Sequence, residues 1–295
     1  MSSIFTVKPK RVVPETLLFS AKPKIGKTTQ VAKLSKCLIL VLEPNGSDFL
    51  TPKVNKYISK EIDTIDCSQI LSASKEDLTN LLTQDVKTKA LDLAVLKNPV
   101  DRMKALNLIL RALQALGKPY DYVAIDTITQ ADLDAEWAGT ELYMDSLQGK
   151  SFNRQQIQGQ PSTKWPRLEY GHPDYQSVIE IGQNGWRWSR TIMVDLLNLS
   201  RDCAKICTIY VSHIKDKMLS KGDKGEVFIR DIALTGAVAD IYARNVSAVG
   251  TVWPDYEQDC LMISFKGNED KTGGNRGQIG SYEGEFDWDK IFDLS

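Results

Sequence analysis

The most constraining feature of the sequence is the stretch from Thr16 to Thr29, TLLFSAKPKIGKTT. Its first five residues are mostly apolar and predict a buried strand, a turn follows through Pro23 and Gly26, and helical spacing begins at Lys27. A loop that ends in Gly-Lys-Thr between a strand and a helix is typical of a phosphate-binding loop. The stretch therefore predicts an α/β fold built around such a loop. The alternative is a Lys-Thr pair that opens an ordinary helix.

The residue types of this loop suit a nucleotide. Backbone amides at a helix N-terminus point at an anion, Lys27 can reach the β- and γ-phosphates, the Thr28 hydroxyl can hold Mg²⁺, and Thr29 would lie on the α-phosphate side. One departure from the usual pattern is an alanine where the first glycine belongs, which places a Cβ at a tight turn. The predicted nucleotide contacts are Ala21, Lys22, Pro23, Lys24, Ile25, Gly26, Lys27, Thr28 and Thr29.

Length and composition predict one globular domain over residues 1–295. The chain is long enough for a full core, and its 42% hydrophobic and 25% charged residues are ordinary for a soluble protein. The sequence has neither a run of about 18 apolar residues nor the pattern of a secretory signal, so we expect an intracellular, cytoplasmic protein. The net charge of −1 means that any nucleic-acid surface must be a local patch.

The cysteines favour a reduced protein without a disulfide framework. There are five, an odd and scattered set in a chain of this length. Cys203 and Cys207 are spaced to share a helix face, but no second Cys or His pair stands at metal-ligand spacing. Burial in the core is therefore the better interpretation of this pair than metal binding.

Two further apolar strands are followed by carboxylates. The run Cys37–Leu42 predicts a strand buried on both faces and leads to Glu43, at the strand end where ligands bind in open α/β sheets. The alternative for Glu43 is a plain turn acid before Pro44, with Asp48 as a second candidate. The run 120–129 ends its strand at Asp126, whose carboxylate would bind Mg²⁺ through the metal's water shell, with Thr127 on the γ-phosphate side.

A third strand, Ile206–Ser212, leads to His213. A polar side chain at this edge can sense the terminal phosphate, and a solvent-facing histidine without a role is the alternative. The charged segment after it, at about 214–231, predicts a mobile loop at the active edge of the sheet.

Between residues 137 and 190 the composition changes to cations interleaved with aromatic rings. Such a mixture can follow phosphates and stack bases of a single strand, and the alternative is an irregular insertion whose aromatic residues bury themselves. The residues concerned are Lys150, Phe152, Arg154, Lys164, Trp165, Arg167, Tyr170, Tyr175, Trp186, Arg187, Trp188 and Arg190.

The remaining elements follow from periodicity. We predict a short strand at 61–67, helical stretches at 74–96, 98–116 and 191–204, a helix that opens within 232–240, a strand pair at 246–253 and 260–266, and an amphipathic tail at 286–292.

The order of these elements resembles the phage-encoded RecA-like ATPases, a group that includes single-strand annealing recombination proteins. The matching pieces are Gly26–Thr28, the strand ending in Glu43, the 123–127 and 211–216 strand ends, and the Leu-Thr-Gly run at 234–236. The resemblance implies a RecA-like P-loop NTPase fold, with a mostly parallel central sheet and helices on both faces.

The resemblance also implies roles. Glu43 would activate the attacking water, His213 would couple the nucleotide state to a DNA-binding loop, and Lys266, Lys271 or Arg276 would reach a neighbouring subunit's phosphates. Thr28 and Asp126 would hold Mg²⁺, and Lys27 would act in catalysis with Glu43 and His213. The implied partners are single-stranded DNA, further copies of the chain in a ring or filament, and a single-strand-binding protein, in the host cytoplasm.

The sequence thus predicts an ATP- and Mg²⁺-binding ATPase that hydrolyses ATP slowly and binds or anneals single-stranded DNA in phage recombination or replication. Two alternatives remain open at this point. One is a nucleotide-switched assembly module with little turnover, and the other is a helicase-loading or packaging-type motor.

Overall fold

The structure is a computed structural model that describes residues 14–50, 55, 58, 62–147, 149, 170–171, 177, 185–220, 226–267, 274–275 and 282–292. Residues 49, 216–220, 226–230 and 275 are described by their backbone alone. None of the helices in these ranges combines the length and the apolar character that a membrane crossing requires.

Eleven strands form one sheet in the described ranges. Their spatial order is β11-β9-β8-β1-β6-β5-β2-β4-β3, with β10 on β8 and β7 on β6. The pairs β3–β4, β4–β2, β2–β5, β5–β6, β6–β1 and β1–β8 are all parallel. The strands are β1 Thr16–Ala21, β2 Cys37–Val41, β3 Asp63–Asp66, β4 Lys89–Asp92, β5 Tyr122–Asp126, β6 Cys207–Ser220, β7 Glu226–Ile232, β8 Ala248–Asp255, β9 Cys260–Ser264, β10 Gly274–Asn275 and β11 Glu283–Glu285.

Helices cover both faces of this sheet, because its central strands are apolar on both sides. One core cluster packs α2 to α6 on one face, and the other packs α1 and α7 on the opposite face. The predicted fold class, an α/β protein with a mostly parallel sheet between two helical layers, is confirmed. The helices are α1 Lys27–Ala32, α2 Lys75–Thr83, α3 Pro99–Ala115, α4 Ile128–Asp145, α5 Gly185–Ser200, α6 Val238–Asn245 and α7 Trp288–Phe292.

The helix α7 packs directly on α1. The indole Nε1 of Trp288 donates to the backbone carbonyl oxygen of Gln30 at 2.7 Å. The Trp288 ring stacks on Phe292, which stacks in turn on Tyr122 of β5. The predicted amphipathic tail is therefore a short helix that covers the helix after the phosphate-binding loop.

Three segments differ from the sequence predictions. The helical stretch predicted at 74–96 contains a helix only at Lys75–Thr83 and continues into β4, which pairs with β2. The chain after Asp126 forms the long helix α4, which the apolar pattern did not indicate. At 214–231, where a loop is predicted, β6 and β7 form an antiparallel hairpin. The mobility of that segment stays a prediction.

Candidate functional site

The phosphate loop, Ala21–Thr28, begins at the last residue of β1. Ala21 is the last residue of that strand, fully buried, and pairs with His213 on one side and Val252 on the other. Its Cβ therefore lies in the core rather than at a tight turn, and the expected cost of alanine at this position is absent. The turn itself uses left-handed backbone at Lys24 (φ 64°) and Gly26 (φ 93°), where glycine is favoured.

Lys27 is buried beneath the loop. Its ammonium donates to the carbonyl oxygen of Lys22 at 3.2 Å, which holds the side chain under the loop. A second contact joins its Nζ to Nδ1 of His213 at 3.0 Å. Burial lowers the pKa of Lys27, while the nearby carboxylates of Asp126 and Glu43 act in the opposite direction. The cation is thus positioned inside the site, and no carboxylate of the described residues forms a direct ion pair with it.

Thr28 and Asp126 meet across the sheet edge. The Thr28 hydroxyl donates to Asp126 Oδ2 at 2.5 Å, so the loop and the end of β5 are joined by a direct hydrogen bond. Burial raises the pKa of Asp126 to about 6, although the hydrogen bond from Thr28 opposes this shift. The residues predicted to hold Mg²⁺ are therefore in contact.

Glu43 follows β2 and lies beside β5. Its position depends on the turn after the strand, where the Gly46 amide donates to the Glu43 carbonyl oxygen at 3.1 Å. A Cβ at Gly46 would stand only 2.8 Å from a methyl group of Val41, so this close turn requires glycine. The Glu43 side chain is thereby directed toward β5 and β6.

The Glu43 carboxylate accepts hydrogen bonds from Thr127, which directly follows β5, and from His213 of β6. Thr127 Oγ1 donates to its Oε1 at 2.7 Å, and Nε2 of His213 makes a short hydrogen bond with the same oxygen. Burial alone would raise the pKa of Glu43, but the hydrogen bonds from His213 and Thr127, together with the nearby Lys27 cation, outweigh it and the pKa lies below its usual range. Glu43 is therefore a charged carboxylate, suited to orienting a water molecule.

His213 joins the cation of the loop to this carboxylate. A lysine ammonium is only a donor, so Nδ1 of His213 accepts from Lys27 and the ring proton is assigned to Nε2, which donates to Glu43. The imidazole is half-buried between the two groups and does not face solvent freely. The catalytic residues predicted from sequence, Glu43, Lys27 and His213, thus form one contact series.

The other predicted contacts lie around this centre. Thr29 is buried, and its hydroxyl accepts a hydrogen bond from the side-chain amide Nδ2 of Asn55 at 2.6 Å. Lys22, Pro23 and Lys24 are exposed at the outer edge of the loop, with Ile25 half-buried beneath them. Asp48, the second candidate for Glu43's role, is exposed.

The three basic residues predicted to act on a neighbouring subunit are only partly described. Lys266 follows β9 and lies 3.5 Å from a carboxylate oxygen of Glu283. Lys271 and Arg276 lie outside the described residues.

Several hydrogen bonds of hydroxyl groups at the site are not predictable from the sequence. Thr127 is buried and donates to Glu43, and its Oγ1 also accepts the Gln130 amide at the start of α4, while its contact with the γ-phosphate side stays a prediction. Thr129 Oγ1 accepts the His213 amide at 2.9 Å and lies 3.1 Å from Ser212 Oγ. The threonines that follow Asp126 in the sequence, Thr127 and Thr129, indicate that hydroxyl groups lie near the site. The sheet register is needed to show that Thr127 contacts Glu43 and that Thr129 contacts His213.

The basic and aromatic segment at 137–190 is described only in part. Lys150, Phe152, Arg154, Lys164, Trp165, Arg167 and Tyr175 lie outside the described residues. At the start of α5, Trp186, Arg187 and Arg190 are exposed, with 53% of the Trp186 surface accessible. The Trp188 ring instead packs edge-on against Tyr143, and Tyr170 packs against Trp137. Trp186 is therefore better placed than Trp188 to stack on a base.

The donor set fits a hard cation shared with a phosphate. Thr28 and Asp126 offer a hydroxyl and a carboxylate oxygen, the ligand types that Mg²⁺ prefers. No group of three or more His, Cys, Asp or Glu side chains among the described residues could hold a metal by itself. A cation here would therefore complete its shell with phosphate and water, as Mg²⁺ usually does.

Comparisons with known proteins give a limited result. No protein-family model matches the chain, and a search of curated proteins found no match. Among solved structures, the chain is similar to the crystal structure of the RadB recombinase, with 9% sequence identity and a TM-score of 0.35 over 88% of this chain and 85% of that chain. This distant similarity says nothing about the activity of the present chain.

Proposed function

We propose that this protein binds ATP with Mg²⁺ at the phosphate loop and hydrolyses it slowly by in-line attack of water. The observation that carries the proposal is the convergence of Lys27, the Thr28–Asp126 pair and the His213–Glu43 pair at one edge of the sheet. A lone Gly-Lys-Thr run would support no more than a helix start. A buried lysine, a metal-type oxygen pair and a charged carboxylate are together the parts that phosphoryl transfer needs.

Each residue of the site has a role in ATP hydrolysis that follows from its chemistry. Lys27 and the loop amides would neutralise charge that develops on the phosphates, and Thr28 with Asp126 would hold the metal. Bound Mg²⁺ would supply further neutralisation at the β- and γ-phosphates. Glu43 would orient the attacking water, and His213 would keep the Glu43 carboxylate in place through its Nε2 hydrogen bond.

We further propose that single-stranded DNA binds the protein and modulates hydrolysis, in recombination or replication. Support comes from the exposed Trp186, Arg187 and Arg190 at the start of α5, which combine a stacking face with cations. The interleaved cations and aromatic residues at 150–175 extend this composition in sequence. A phage origin, assembly of several copies, and contact with a single-strand-binding protein belong to this proposal as expectations.

Nucleotide binding and phosphate release by the purified chain, with and without single-stranded DNA, test the proposal. Lys27→Ala should lose ATP binding because it removes the cation that faces the phosphates, whereas Lys33→Ala, an exposed lysine just after α1, should keep it. Glu43→Gln should retain ATP binding and lose most hydrolysis, the pattern of an effect confined to the transition state. Wild-type affinity in Lys27→Ala would refute the nucleotide site.

The same assay separates the proposed function from its main alternative. DNA stimulation of phosphate release by about tenfold or more, a change of about 1.4 kcal/mol in the barrier, supports a DNA-coupled ATPase. ATP binding with no turnover in any condition would instead indicate a nucleotide-switched assembly module. Asp126→Asn should weaken the dependence on Mg²⁺ more than nucleotide contact, and an unchanged metal titration would leave Asp126 as a strand-end residue only.

A further inference from the structure

His213 is held by its backbone as well as by its ring. Its amide donates to Thr129 Oγ1 at 2.9 Å, and its carbonyl oxygen accepts from the Ala233 amide, also at 2.9 Å. The first partner lies on α4 and the second lies just after β7. Together with the pairing of His213 with Ala21 of β1, these two backbone partners fix the strand end from which the ring bridges Lys27 and Glu43.

The Ala233 side of this arrangement is fixed by a buried carboxylate. Two residues further on, Thr235 donates its amide to Asp132 Oδ2 at 2.6 Å and its hydroxyl to Asp132 Oδ1 at 3.0 Å. The Asp132 side chain is buried on α4, three residues after Thr129. Burial raises the pKa of Asp132, and the hydrogen bonds from Thr235 act against that shift.

These contacts form a closed circuit that includes His213. The circuit connects Thr129 to His213, His213 to Ala233, and Thr235 to Asp132, which lies on the same helix as Thr129. The helix α4 thus contacts the chain at His213 directly and, through Thr235, the segment that pairs with it. Among the described residues, the side-chain hydrogen bonds of Thr129, Asp132 and Thr235 do not reach the phosphate loop, and the hydrogen-bonded path from them to Lys27 runs through His213.

From this geometry we infer that Asp132 and Thr235 are positioning residues, which hold His213 where its ring joins Lys27 to Glu43. The inference rests on the proposed function for its consequence in catalysis. Its structural part concerns the free protein and is tested separately. Loss of the Asp132–Thr235 contact leaves the phosphate loop, Thr28 and Asp126 intact but frees the segment that pairs with the His213 carbonyl.

The first test uses histidine NMR of the protein without nucleotide. The chain contains two histidines, His172 and His213, so a sample labelled with ¹⁵N-histidine gives a simple spectrum, and His172→Gln assigns it. In the wild type we expect the His213 ring to carry its proton on Nε2. Asp132→Ala should replace this pattern by an average of the two tautomers, because the ring no longer stays between Lys27 and Glu43.

Thr235→Val and Thr235→Ser refine the test. Valine removes the hydroxyl donor and keeps the amide, so a partial shift toward averaging is expected, and serine should restore the wild-type pattern. Thr140→Val is the matched control. Thr140 is a buried threonine of α4, the helix that carries Asp132, and its hydroxyl donates to the Glu136 carbonyl oxygen. An unchanged His213 pattern in folded Asp132→Ala, or an equal change in Thr140→Val, would overturn the inference.

The second test measures kinetics. Asp132→Ala should lower kcat by roughly tenfold with a nucleotide Kd within about twofold of the wild type, because the Asp132–Thr235 contact positions the His213–Glu43 pair, whereas Lys27 is also held by the Lys22 carbonyl oxygen. A parallel loss of nucleotide affinity and kcat would contradict positioning and indicate general damage. If the wild type binds no nucleotide, the proposed function fails, and the NMR result alone decides whether Asp132 and Thr235 position His213.

Discussion

The carboxyl group of Asp126 is buried and accepts a hydrogen bond from the Thr28 hydroxyl. The pKa is raised from 3.8 to about 6 by burial, so the charged form is less favourable in the folded protein than in the unfolded chain. This penalty is complete above pH 6, declines as the pH falls through that value, and vanishes below the unfolded pKa. Each pKa unit is worth about 1.4 kcal/mol, so the penalty is on the order of 2–3 kcal/mol.

Replacement of this carboxylate should therefore stabilise the metal-free protein. We expect Asp126→Asn to melt at a higher temperature than the wild type at pH 7.5, with a difference that shrinks toward pH 4. Thermal melts in magnesium-free buffer over this range measure the effect. Asp195→Asn, at an exposed position of α5, is the control and should change little. A lower melting temperature for Asp126→Asn at pH 7.5 would contradict the burial argument.

Ala21 gives a second prediction at a single residue. Because Ala21 ends a buried strand, Ala21→Gly should not improve nucleotide affinity, and it should destabilise the protein by roughly 0.5–1 kcal/mol through backbone entropy, plus the packing of the lost methyl group. Gly26→Ala is the contrasting variant, since it places a Cβ on left-handed backbone and should weaken ATP binding. Urea unfolding and ATP titration measure both. Tighter ATP binding by Ala21→Gly would show that the loop prefers glycine there.

Among the elements, α4 and α5 cross closely at a glycine. A Cβ at Gly139 would stand 2.8 Å from the Ser189 amide nitrogen and 2.9 Å from the Trp188 carbonyl carbon, both backbone atoms. Alanine normally favours a helix over glycine by about 1 kcal/mol, but here the crossing leaves no room for its methyl group. Helix propensity and steric crowding therefore change the stability of Gly139→Ala in opposite directions, and the sign of the measured change shows which effect is larger.

We expect Gly139→Ala to destabilise the protein by roughly 1–3 kcal/mol, the usual cost of overpacking. The midpoint of urea unfolding measures it. Ala138→Gly, at the neighbouring half-buried position that packs on the core, serves as a comparison and should cost about 1 kcal/mol through helix propensity, plus the packing of the lost methyl group. A more stable Gly139→Ala would mean that the helices separate easily at this crossing.

The elements near the site were predictable to different degrees. The strands that end at Ala21, Glu43, Asp126 and His213 are apolar runs, and parallel strands bring their carboxyl ends to one edge, so the site could be assembled from sequence. The helix α4 could not, because its buried Asp132 and Asp134 interrupt the apolar period. Their partners are Thr235 and Arg102, which are distant in sequence.

The strand β4 was missed for a related reason. Lys89 is buried in it, with its ammonium donating to the carbonyl oxygens of Leu81 and Gln84 at the end of α2. A buried lysine leaves only two apolar residues, Ala90 and Leu91, to mark the strand. Because these are tertiary contacts between separate elements, the local periodicity of the sequence does not predict them.

At the scale of the whole molecule, a net charge of −1 requires that any affinity for nucleic acid come from a limited surface. We expect Trp186→Ala to weaken single-stranded DNA binding by roughly 1–3 kcal/mol with little change in salt dependence, because it removes a stacking face. Arg187→Ala should instead flatten the slope of log K against log salt by about 0.7. Fluorescence anisotropy with labelled oligonucleotides at several salt concentrations separates the two effects.

Tyr256 supplies the control for this experiment. It is 90% exposed in the turn between β8 and β9, a different part of the molecule, and Tyr256→Ala should leave DNA binding unchanged. Equal losses in Trp186→Ala and Tyr256→Ala would indicate nonspecific adhesion to aromatic rings. An absence of salt-dependent affinity in the wild type, with or without ATP, would remove the DNA part of the proposal.

The packing of Trp288 on Gln30 has a consequence for the order in which the protein matures on the ribosome. The phosphate loop and α1 are synthesised before α7, since the indole that covers the Gln30 carbonyl oxygen and the Phe292 ring that stacks on it follow some 260 residues later. A nascent chain that has not reached Trp288 carries the complete Gly-Lys-Thr run without the aromatic cover of its helix. Nucleotide capture during translation is therefore expected only after α7 has been synthesised, and a chain arrested before α7 should bind ATP poorly despite an intact loop sequence.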